Sequence, residues 1–453
     1  MDLSLAQTRS VEGRIASNAG LLFGAKALGV GLGVVALINA AAALGVVEFG
    51  IVVFLHGYML FFAEMMTFQP WQSIIRYGSD DVEADDGMRL ARLVKFAAKL
   101  DAVAVVLAYG ASVALFFVFL SAVRAFPWLW QFSDQVDPAR LFTLVCAYCS
   151  VVLFQQVGMS TGVLRLFDRF AGLAAASLVM PTLRLIGVLV AVDQGWGLIG
   201  FVAVWYVASV VRYLTVIALG MWELHRRGLL APAIRARSPF RDQREGLWAF
   251  STKAFVDSSL VSGFVHLPML LVMPVFGPAI AGVYKVAEEV AKLLSEGVKL
   301  LDQVIYPELT RIIAAGEGRQ ILRLVLRASA LALGIGLVLA LLVWLFGPGV
   351  VDRFLDDGFG LAVNLAVLLV IGAAIFAAVA PLYPVFYAVG RPERAIYARA
   401  TGIVAYVVAF FVFGSWLGPI GIGWASIVGY GVGLLVVSVL ISGTLSRLHQ
   451  GAP

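Results

Sequence analysis

The stretch AGVYKVAEEVAKLLSEGVKLLDQVIYP, at residues 281–307, is long enough to cross a membrane as a helix, yet it carries seven charged side chains. On a helix, which turns about 100° per residue, five of these charges fall on one narrow stripe and two lie beside it. This charged stripe consists of Lys285, Glu289, Lys292, Glu296 and Lys299, flanked by Glu288 and Asp302. Because a charge near the bilayer centre costs on the order of 3 kcal/mol, the charged stripe is expected to face protein or water.

Two interpretations of the charged stripe are open. Opposite charges lie four residues apart at 285/289, 288/292 and 292/296, and each such pair stabilises a helix by about 0.2–0.5 kcal/mol. The stripe is therefore either a self-paired helix face or the lining of a hydrated cavity through which something polar passes.

Composition places the chain in a membrane. Hydrophobic residues make up 61% of its 453 residues and charged residues 13%, and the mean hydropathy is +0.94. Twelve apolar runs of membrane length follow one another along the chain. They are centred in 17–44, 46–75, 96–123, 139–164, 170–192, 196–222, 248–275, 277–306, 325–347, 361–388, 398–417 and 419–445. The sequence predicts an all-α integral membrane protein with about 12 transmembrane helices.

Basic residues indicate the orientation. If both termini are cytoplasmic, nearly all loop arginines and lysines lie on the cytoplasmic side, and Arg124, Arg140 and Arg353 fall outside. This bias accounts for the pI near 9.2 without a nucleic-acid partner, because basic loops lie beside anionic headgroups. The N-terminal sequence is mixed in charge and leads into a long apolar run, which is not typical of a cleavable signal peptide.

Few residues indicate catalysis or metal binding. Cys146 and Cys149 form a CxxC motif inside an apolar run, where inert, buried thiols are expected. The four histidines are scattered and no glycine-rich phosphate loop is present. A membrane glycosyltransferase, polymerase or ligase would need a sizeable outer loop with catalytic groups, and the longest outer loop spans about 124–138. We expect no enzyme activity, cofactor or metal site.

The chain also repeats itself. LLFGAKALG at 21–29 resembles LWAFSTKAF at 247–255, and Gly45 is matched to Gly282. The repeat predicts an N-terminal six-helix lobe at 1–223, a cytoplasmic linker at 224–246 and a C-terminal six-helix lobe at 247–453. Six helices return each half to the same side of the membrane, so the lobes are parallel repeats, an architecture of secondary transporters that places the binding site at the repeat interface.

Several features together resemble a known family. They are the twelve-helix pattern, LRLFDRF at 164–170, VGRPERA at 389–395, and GVYKVAEEVAKLL at 282–294 leading to VIYPELTR at 304–311. Their order is similar to that of the polysaccharide flippases of O-antigen, or Wzx-like, type in the multidrug/oligosaccharidyl-lipid/polysaccharide (MOP) exporter superfamily. The resemblance covers nearly the full chain and depends on the set of motifs more than on any single one.

This resemblance implies a fold and a substrate. The two lobes would form a V around a central cavity in a bacterial inner membrane. The cargo would be a polyprenyl-diphosphate-linked oligosaccharide, moved from the cytoplasmic to the periplasmic leaflet for polysaccharide or lipopolysaccharide biosynthesis. Membrane lipids, glycosyltransferases and a polysaccharide polymerase would be partners, and H⁺ or Na⁺ could be the coupling ion. Lipid II flippases and cation-coupled drug antiporters share the scaffold, so the fold alone leaves both as alternatives.

A lipid-linked diphosphate needs positive charge inside the membrane. Lys26 and Arg184 lie well inside apolar runs and have no acid within one turn, so they are the first candidates. Their alternative role is an ion pair with an acid on another helix. The further candidates, which have acids nearby, are Lys253, Lys285, Lys292 and Lys299.

Three acids are candidates for ion coupling. Glu48 and Glu64 have no basic residue within four positions on their own helix, and Asp257 lies four residues after Lys253. A structural hydrogen bond is the alternative for the first two. For a drug antiporter an acidic cation site would be expected in the opening helix of the first lobe, where this chain has Lys26.

Overall fold

A computed structural model of the protein describes residues 2–127, 130–132, 134–239, 244–314, 318–383, 386 and 392–449. Within the helices, the side chains of 2–19, 257, 260–261, 263–264, 293, 295–314, 318–326, 328, 381, 392 and 442–449 lie outside this description. The described backbone is helical in nearly every segment, which confirms the all-α class.

The helices follow one another with short connections. They are α1 Asp2–Met65, α2 Pro70–Glu83, α3 Gly87–Ala125, α4 Pro138–Cys149, α5 Gly158–Leu166, α6 Phe170–Asp193, α7 Leu198–Arg226, α8 Leu230–Arg235, α9 Leu247–Ala314, α10 Gly318–Phe354, α11 Ala362–Val379, α12 Pro392–Leu417 and α13 Gly421–His449. Short 3₁₀ turns lie at Ser150–Phe154, Asp357–Phe359, Ala380–Leu382 and Gly418–Ile420. Nine stretches of the described residues are long and apolar enough to cross a membrane, and Gly20–Glu83 and Glu393–Ile441 each hold two predicted runs.

Two of the helices are broken at a glycine. In α1 the break is at Gly45, with φ 68° and ψ 171°, and in α9 it is at Gly277, with φ 84° and ψ 175°. Only glycine adopts such a conformation without strain. The two breaks have matching geometry at Gly45 and Gly277, five residues before Gly282, to which the sequence matched Gly45.

The contacts divide the chain into two compact units. The first unit contains Met1–Leu44 and Leu55–His266, and the second contains Gly45–Phe54 and Leu267–Pro453. The units differ from the predicted lobes in two segments, because 45–54 groups with the second unit and 247–266 with the first. The division of the sequence into two repeats of six helices stays a prediction.

The first unit is built around α2, α3, α5 and α7, which pack against one another. Their shared core includes the buried side chains Ile74, Leu93, Phe96 and Val163. Segment 247–266 belongs here because Ser259 Oγ donates to the carbonyl of Met65, at 2.5 Å, and the ring of Phe255 stacks on that of Phe68.

The predicted linker also packs on the first unit. Lys95 Nζ donates to the carbonyl of Ile234 and Lys99 Nζ to that of Ser238, at 3.1 and 2.6 Å. Arg244, which is nearly buried, pairs with the buried carboxylate of Asp81. The arginine-rich segment is therefore bound to α2 and α3 through side chains of both signs.

The fourth predicted run is not one helix. It is divided into α4, a 3₁₀ turn and α5. The buried carboxylate of Asp101 on α3 accepts from the backbone N–H of Met159, at 2.7 Å, at the beginning of α5. A carboxylate at this position satisfies backbone donors that the break would otherwise leave without partners.

In the second unit α10 packs on α11, α11 packs on α13, and α12 packs on α13. Segment 45–54 crosses the part of α9 that follows Gly277. There a Cβ atom on Gly50 would overlap the carbonyl oxygen of Pro278, and one on Gly282 would lie 2.5 Å from the carbonyl oxygen of Val46. The two contacts are equivalent, since Val46 and Pro278 each lie four residues before the glycine of their own helix. Close approach of this kind is typical of membrane helices that cross at small residues.

Candidate functional site

A polar cluster lies inside the first unit, around Arg184 on α6. The residue is half-buried and lies nine residues before the helix end at Asp193, or about 14 Å at 1.5 Å per residue. Its guanidinium Nη2 lies 2.8 Å from Nε2 and 3.4 Å from Nδ1 of His56 on α1, and 3.5 Å from Ser209 Oγ on α7. Its Cζ lies 5.2 Å from the ring centroid of Trp205. We call Arg184, His56, Tyr148 and Ser209 the arginine cluster.

The side chains of the arginine cluster contact one another in turn. Nδ1 of His56 lies 2.9 Å from the hydroxyl of Tyr148 on α4. Tyr148 in turn interacts with Ser209, whose hydroxyl donates to the carbonyl of Trp205, at 2.8 Å. The ring of His56 thus lies between the guanidinium of Arg184 and the hydroxyl of Tyr148.

Lys26 belongs to the same region of the first unit. It lies three residues from Gly29 on α1, where a Cβ atom would be 3.5 Å from Cγ of Pro181 on α6. Pro181 is three residues from Arg184. The side chain of Lys26 is exposed. Helices α1 and α6 therefore bring the two first-choice cations to one part of the first unit.

Glu64 pairs with a histidine that the sequence did not single out. His266 Nε2 lies 3.1 Å from Glu64 Oε2, joining α1 to the segment at 247–266. The side chain of Glu64 is 40% exposed and that of His266 is 12% exposed. The pair is thus an acid and a base in contact, with the acid accessible.

In the second unit three members of the charged stripe and the flanking Glu288 form a network of ion pairs. Lys285 Nζ lies 2.8 Å from Glu288 Oε2 and 3.1 Å from Glu289 Oε2. Lys292 Nζ lies 3.2 Å and 3.8 Å from the same two oxygens. Each lysine therefore contacts both glutamates and the four charges sum to zero. We call these four residues the lysine–glutamate tetrad.

Three tyrosines are within electrostatic range of Glu288. They are Tyr284 on α9, Tyr406 on α12 and Tyr430 on α13. Tyr284 and Tyr406 are buried, and the ring of Phe376 on α11 is 5.2 Å from that of Tyr430.

The remaining candidates lie apart from these clusters or outside the description. Lys253 is exposed in the first unit, and Glu48 is half-buried in the part of α1 that belongs to the second. The side chains of Asp257 and Lys299, and those of Glu296 and Asp302, lie outside the described residues. Among the described side chains, no group of three His, Cys, Asp or Glu is placed to hold a metal ion.

Sequence reasoning missed His56, His266 and Tyr148. One signal was available for the histidines, since an ionisable side chain inside an apolar run is a functional candidate in a membrane protein. Their partners could not have been found, because His56 and Arg184 are 128 residues apart and Glu64 and His266 are 202 apart.

A last group of charges lies at the end of α7. The buried carboxylate of Glu223 receives Arg227 Nε at 2.7 Å, Arg169 Nε at 3.0 Å and Arg226 Nη2 at 3.3 Å. Arg169 belongs to the LRLFDRF turn, so this motif is held to α7 by a charge network. Three cations around one anion leave a net positive surface.

Comparison with known proteins supports the fold. No protein-family model matches the chain. It is 27% identical over 323 residues to the inner membrane protein YghQ of Escherichia coli (strain K12), covering 71% of this chain and 86% of YghQ.

Several solved structures are similar over nearly the whole chain. An inward-facing multidrug resistance MATE family transporter of the MOP superfamily superposes with a TM-score of 0.72 at 15% identity, covering 94% of this chain and 96% of that one. The eukaryotic MATE transporter AtDTX14 superposes with a TM-score of 0.60 at 13% identity, covering 97% of this chain and 98% of that one. The lipid II flippase MurJ, in an inward closed conformation, superposes with a TM-score of 0.59 at 12% identity, covering 93% of this chain and 87% of MurJ. At such identities the likeness establishes the fold, that of MATE transporters and MurJ.

Proposed function

We propose that this chain is a flippase that moves a polyprenyl-diphosphate-linked oligosaccharide from the cytoplasmic to the periplasmic leaflet of a bacterial inner membrane. The observation that carries the proposal is Arg184, an arginine about 14 Å from its helix end that is held by His56 at 2.8 Å. The fold shared with MurJ and with MOP-superfamily transporters, and the likeness to an inner membrane protein, support the transport class and the location.

Arg184 suits a phosphate ligand for a chemical reason. A guanidinium can donate two parallel hydrogen bonds to phosphate oxygens, and such contacts are stronger than those between neutral groups. In a low-dielectric interior the attraction is larger than in water. The partners His56, Ser209 and Trp205 orient the guanidinium before the ligand arrives. Lys26 is the second cation that we propose for the same ligand, as a point charge.

The tetrad is a weaker phosphate ligand. Lys285 and Lys292 each share their charge with Glu288 and Glu289, so an incoming anion would have to displace a carboxylate.

A drug or cation antiporter is the second candidate. It is favoured by the higher TM-score with the MATE transporter, 0.72 against 0.59 for MurJ, and by the accessible acid Glu64. A lipid II flippase would use the same diphosphate chemistry with a different glycan.

Reconstituted vesicles would separate these functions. The purified chain is placed in proteoliposomes with a fluorescent polyprenyl-diphosphate disaccharide, and the fraction accessible to a membrane-impermeant quencher is followed over time. Ethidium export is measured in parallel. We expect the lipid-linked sugar to be flipped, with the rate reduced about tenfold or more in Arg184→Gln, since hydrogen bonds to charged groups contribute about 1.5–3 kcal/mol.

One control variant loses an arginine elsewhere in the chain, and another keeps the positive charge at position 184. Arg353→Gln removes an exposed arginine at the end of α10 and should leave flipping unchanged. The flipping rate of Arg184→Lys should lie between those of the wild type and Arg184→Gln, because lysine keeps the positive charge but lacks the planar guanidinium that donates two parallel hydrogen bonds. Flipping at the wild-type rate by a well-folded Arg184→Gln protein would contradict the phosphate role. Export of ethidium without flipping would favour the antiporter.

A further inference from the structure

One exposed face of α7 is apolar along the helix and ends beside an arginine. Exposed apolar side chains recur on this face at spacings of three and four residues, as one face of a helix requires. They are Val207, Val211, Leu214, Ala218 and Trp222, which we call the lipid-facing stripe. Arg226 follows Trp222 by one turn, and its Cζ lies 5.6 Å from the ring centroid of Trp222. An acyl chain on the stripe would therefore bring its headgroup to Arg226.

Arg226 is one of three arginines that converge on a buried acid. The carboxylate of Glu223 contacts Arg169, Arg226 and Arg227, which are themselves half-exposed. We call these three residues the Glu223 arginines. A guanidinium has five N–H donors, whereas a carboxylate offers about four acceptor sites. Glu223 can therefore accept only a minority of the hydrogen bonds that the three side chains can donate, and the rest are left for water or a ligand.

The charges at this end of α7 do not balance. Asp168 is exposed and directly precedes Arg169, so three arginines stand against two acids. The acid that the arginines share is buried, whereas the arginines reach the surface. This surface is therefore positive and attracts an anion. A zwitterionic headgroup gains less here, because it carries no net charge.

We propose that the end of α7 is a binding site for an anionic glycerophospholipid, with its phosphodiester on the Glu223 arginines and an acyl chain on the lipid-facing stripe. The continuity of the stripe with Arg226 favours a lipid over a soluble phosphate. Trp222 lies between the two parts of the site, a position that suits an aromatic ring at a membrane interface. The carboxylate of Glu223 holds the guanidinium groups together, so the lipid phosphate meets a preformed set of donors.

The site is distinct from the arginine cluster. Arg226 is about 25 Å along α7 from Ser209, at 1.5 Å per residue. The inference therefore does not depend on the proposed function. Arg169 belongs to the turn between α5 and α6, so a lipid at this site contacts both that turn and α7. Because a ligand stabilises the state that it binds, the lipid should also raise the thermal melting temperature of the protein.

Native mass spectrometry of the full-length chain in detergent measures the binding. The protein is titrated with phosphatidylglycerol or with phosphatidylcholine of the same acyl chains. We expect tighter binding of phosphatidylglycerol. Arg226→Gln should weaken this binding about fivefold, the contribution of one basic residue near an anionic headgroup, and should leave phosphatidylcholine binding unchanged. Arg237→Gln is the matched control, because it removes an exposed arginine from the predicted linker, and both affinities should stay the same.

Three results would overturn the inference. The first is equal affinity of the wild-type protein for the two lipids. The second is an equal loss of affinity in Arg226→Gln and Arg237→Gln, which would indicate general attraction to positive charge. The third is displacement of the lipid by an equal concentration of glycerol 3-phosphate, which would indicate a soluble ligand.

A second measurement covers the case in which Arg226→Gln does not fold. Phosphatidylglycerol with a photoreactive headgroup is crosslinked to the wild-type protein, and the labelled peptides are identified. Crosslinks should fall in the peptides that contain the Glu223 arginines, and crosslinks found only elsewhere would contradict the site. None of these results depends on Arg184, so the proposed function is tested separately.

Discussion

Gly50 and Gly282 lie at a helix crossing in which each glycine faces the carbonyl oxygen four residues before the other. Gly50 meets the carbonyl of Pro278 and Gly282 that of Val46. With Gly45 and Gly277 as the two breaks, the same spacing of five residues leads from break to crossing in both helices. Helices α1 and α9 therefore meet in the second unit through equivalent backbone atoms.

The first prediction concerns this crossing. Gly50→Ala and Gly282→Ala should both destabilise the protein by about 1–3 kcal/mol, as overpacking does, because the added methyl group meets a carbonyl oxygen of the partner helix. Gly50→Ala should be the worse of the two. The thermal melting temperature of the purified protein measures the effect. Gly24→Ala is the control, since a Cβ atom there has no neighbour within 4 Å. Equal melting temperatures for all three variants would show that the crossing is loose.

The second prediction concerns the charged stripe. In a protein without Cys146 and Cys149, a cysteine at position 292 should react with a hydrophilic, membrane-impermeant thiol reagent, and one at position 294 should not. The side chain of Lys292 is 36% exposed, whereas that of Leu294 is 7% exposed and contacts α10 at Gly336. Reaction rates by mass spectrometry check this. Equal protection at both positions would mean that the stripe faces lipid or packed protein.

The third prediction concerns Glu223. Glu223→Gln leaves three guanidinium groups converging on a neutral side chain, so the protein should lose stability. Removing one partner of a fully buried ion pair costs roughly 3–5 kcal/mol of stability. The loss here should be smaller, because water screens the charges of half-exposed arginines. Adding Arg226→Gln should recover part of it, since the remaining repulsion falls. Chemical denaturation of both variants measures this. A double variant less stable than Glu223→Gln would argue against a charge imbalance.

The fourth prediction concerns the pair of Glu64 and His266. We expect Glu64→Gln to abolish stimulation of transport by an ion gradient and to leave transport without a gradient largely unchanged, because the accessible acid is the group that would bind the coupling cation. His266→Gln should weaken the stimulation by removing the partner at 3.1 Å. Vesicles with and without a proton or sodium gradient provide the measurement. Glu83→Gln, an exposed acid on α2, is the control. Full stimulation in both test variants would rule the pair out as the coupling site.

The sequence alone determined the features that depend on residues close together in the chain. Apolar runs of membrane length required helices, since a backbone in lipid must satisfy its own hydrogen bonds. The lysine–glutamate tetrad followed from spacings of three and four residues on one helix, where side chains meet whatever the rest of the chain does. The self-paired interpretation of the charged stripe thus describes the geometry of Lys285, Glu288, Glu289 and Lys292.

Only the tertiary structure decided which helix faces meet. Nothing local relates Arg184 to His56, Glu64 to His266, or Gly50 to Gly282, because each pair is separated by more than a hundred residues. The assignment of 45–54 and 247–266 to opposite units has the same origin, since a long helix can pack successive parts against different neighbours. Helix geometry fixes contacts within about one turn, whereas contacts between helices depend on the packing of the whole chain.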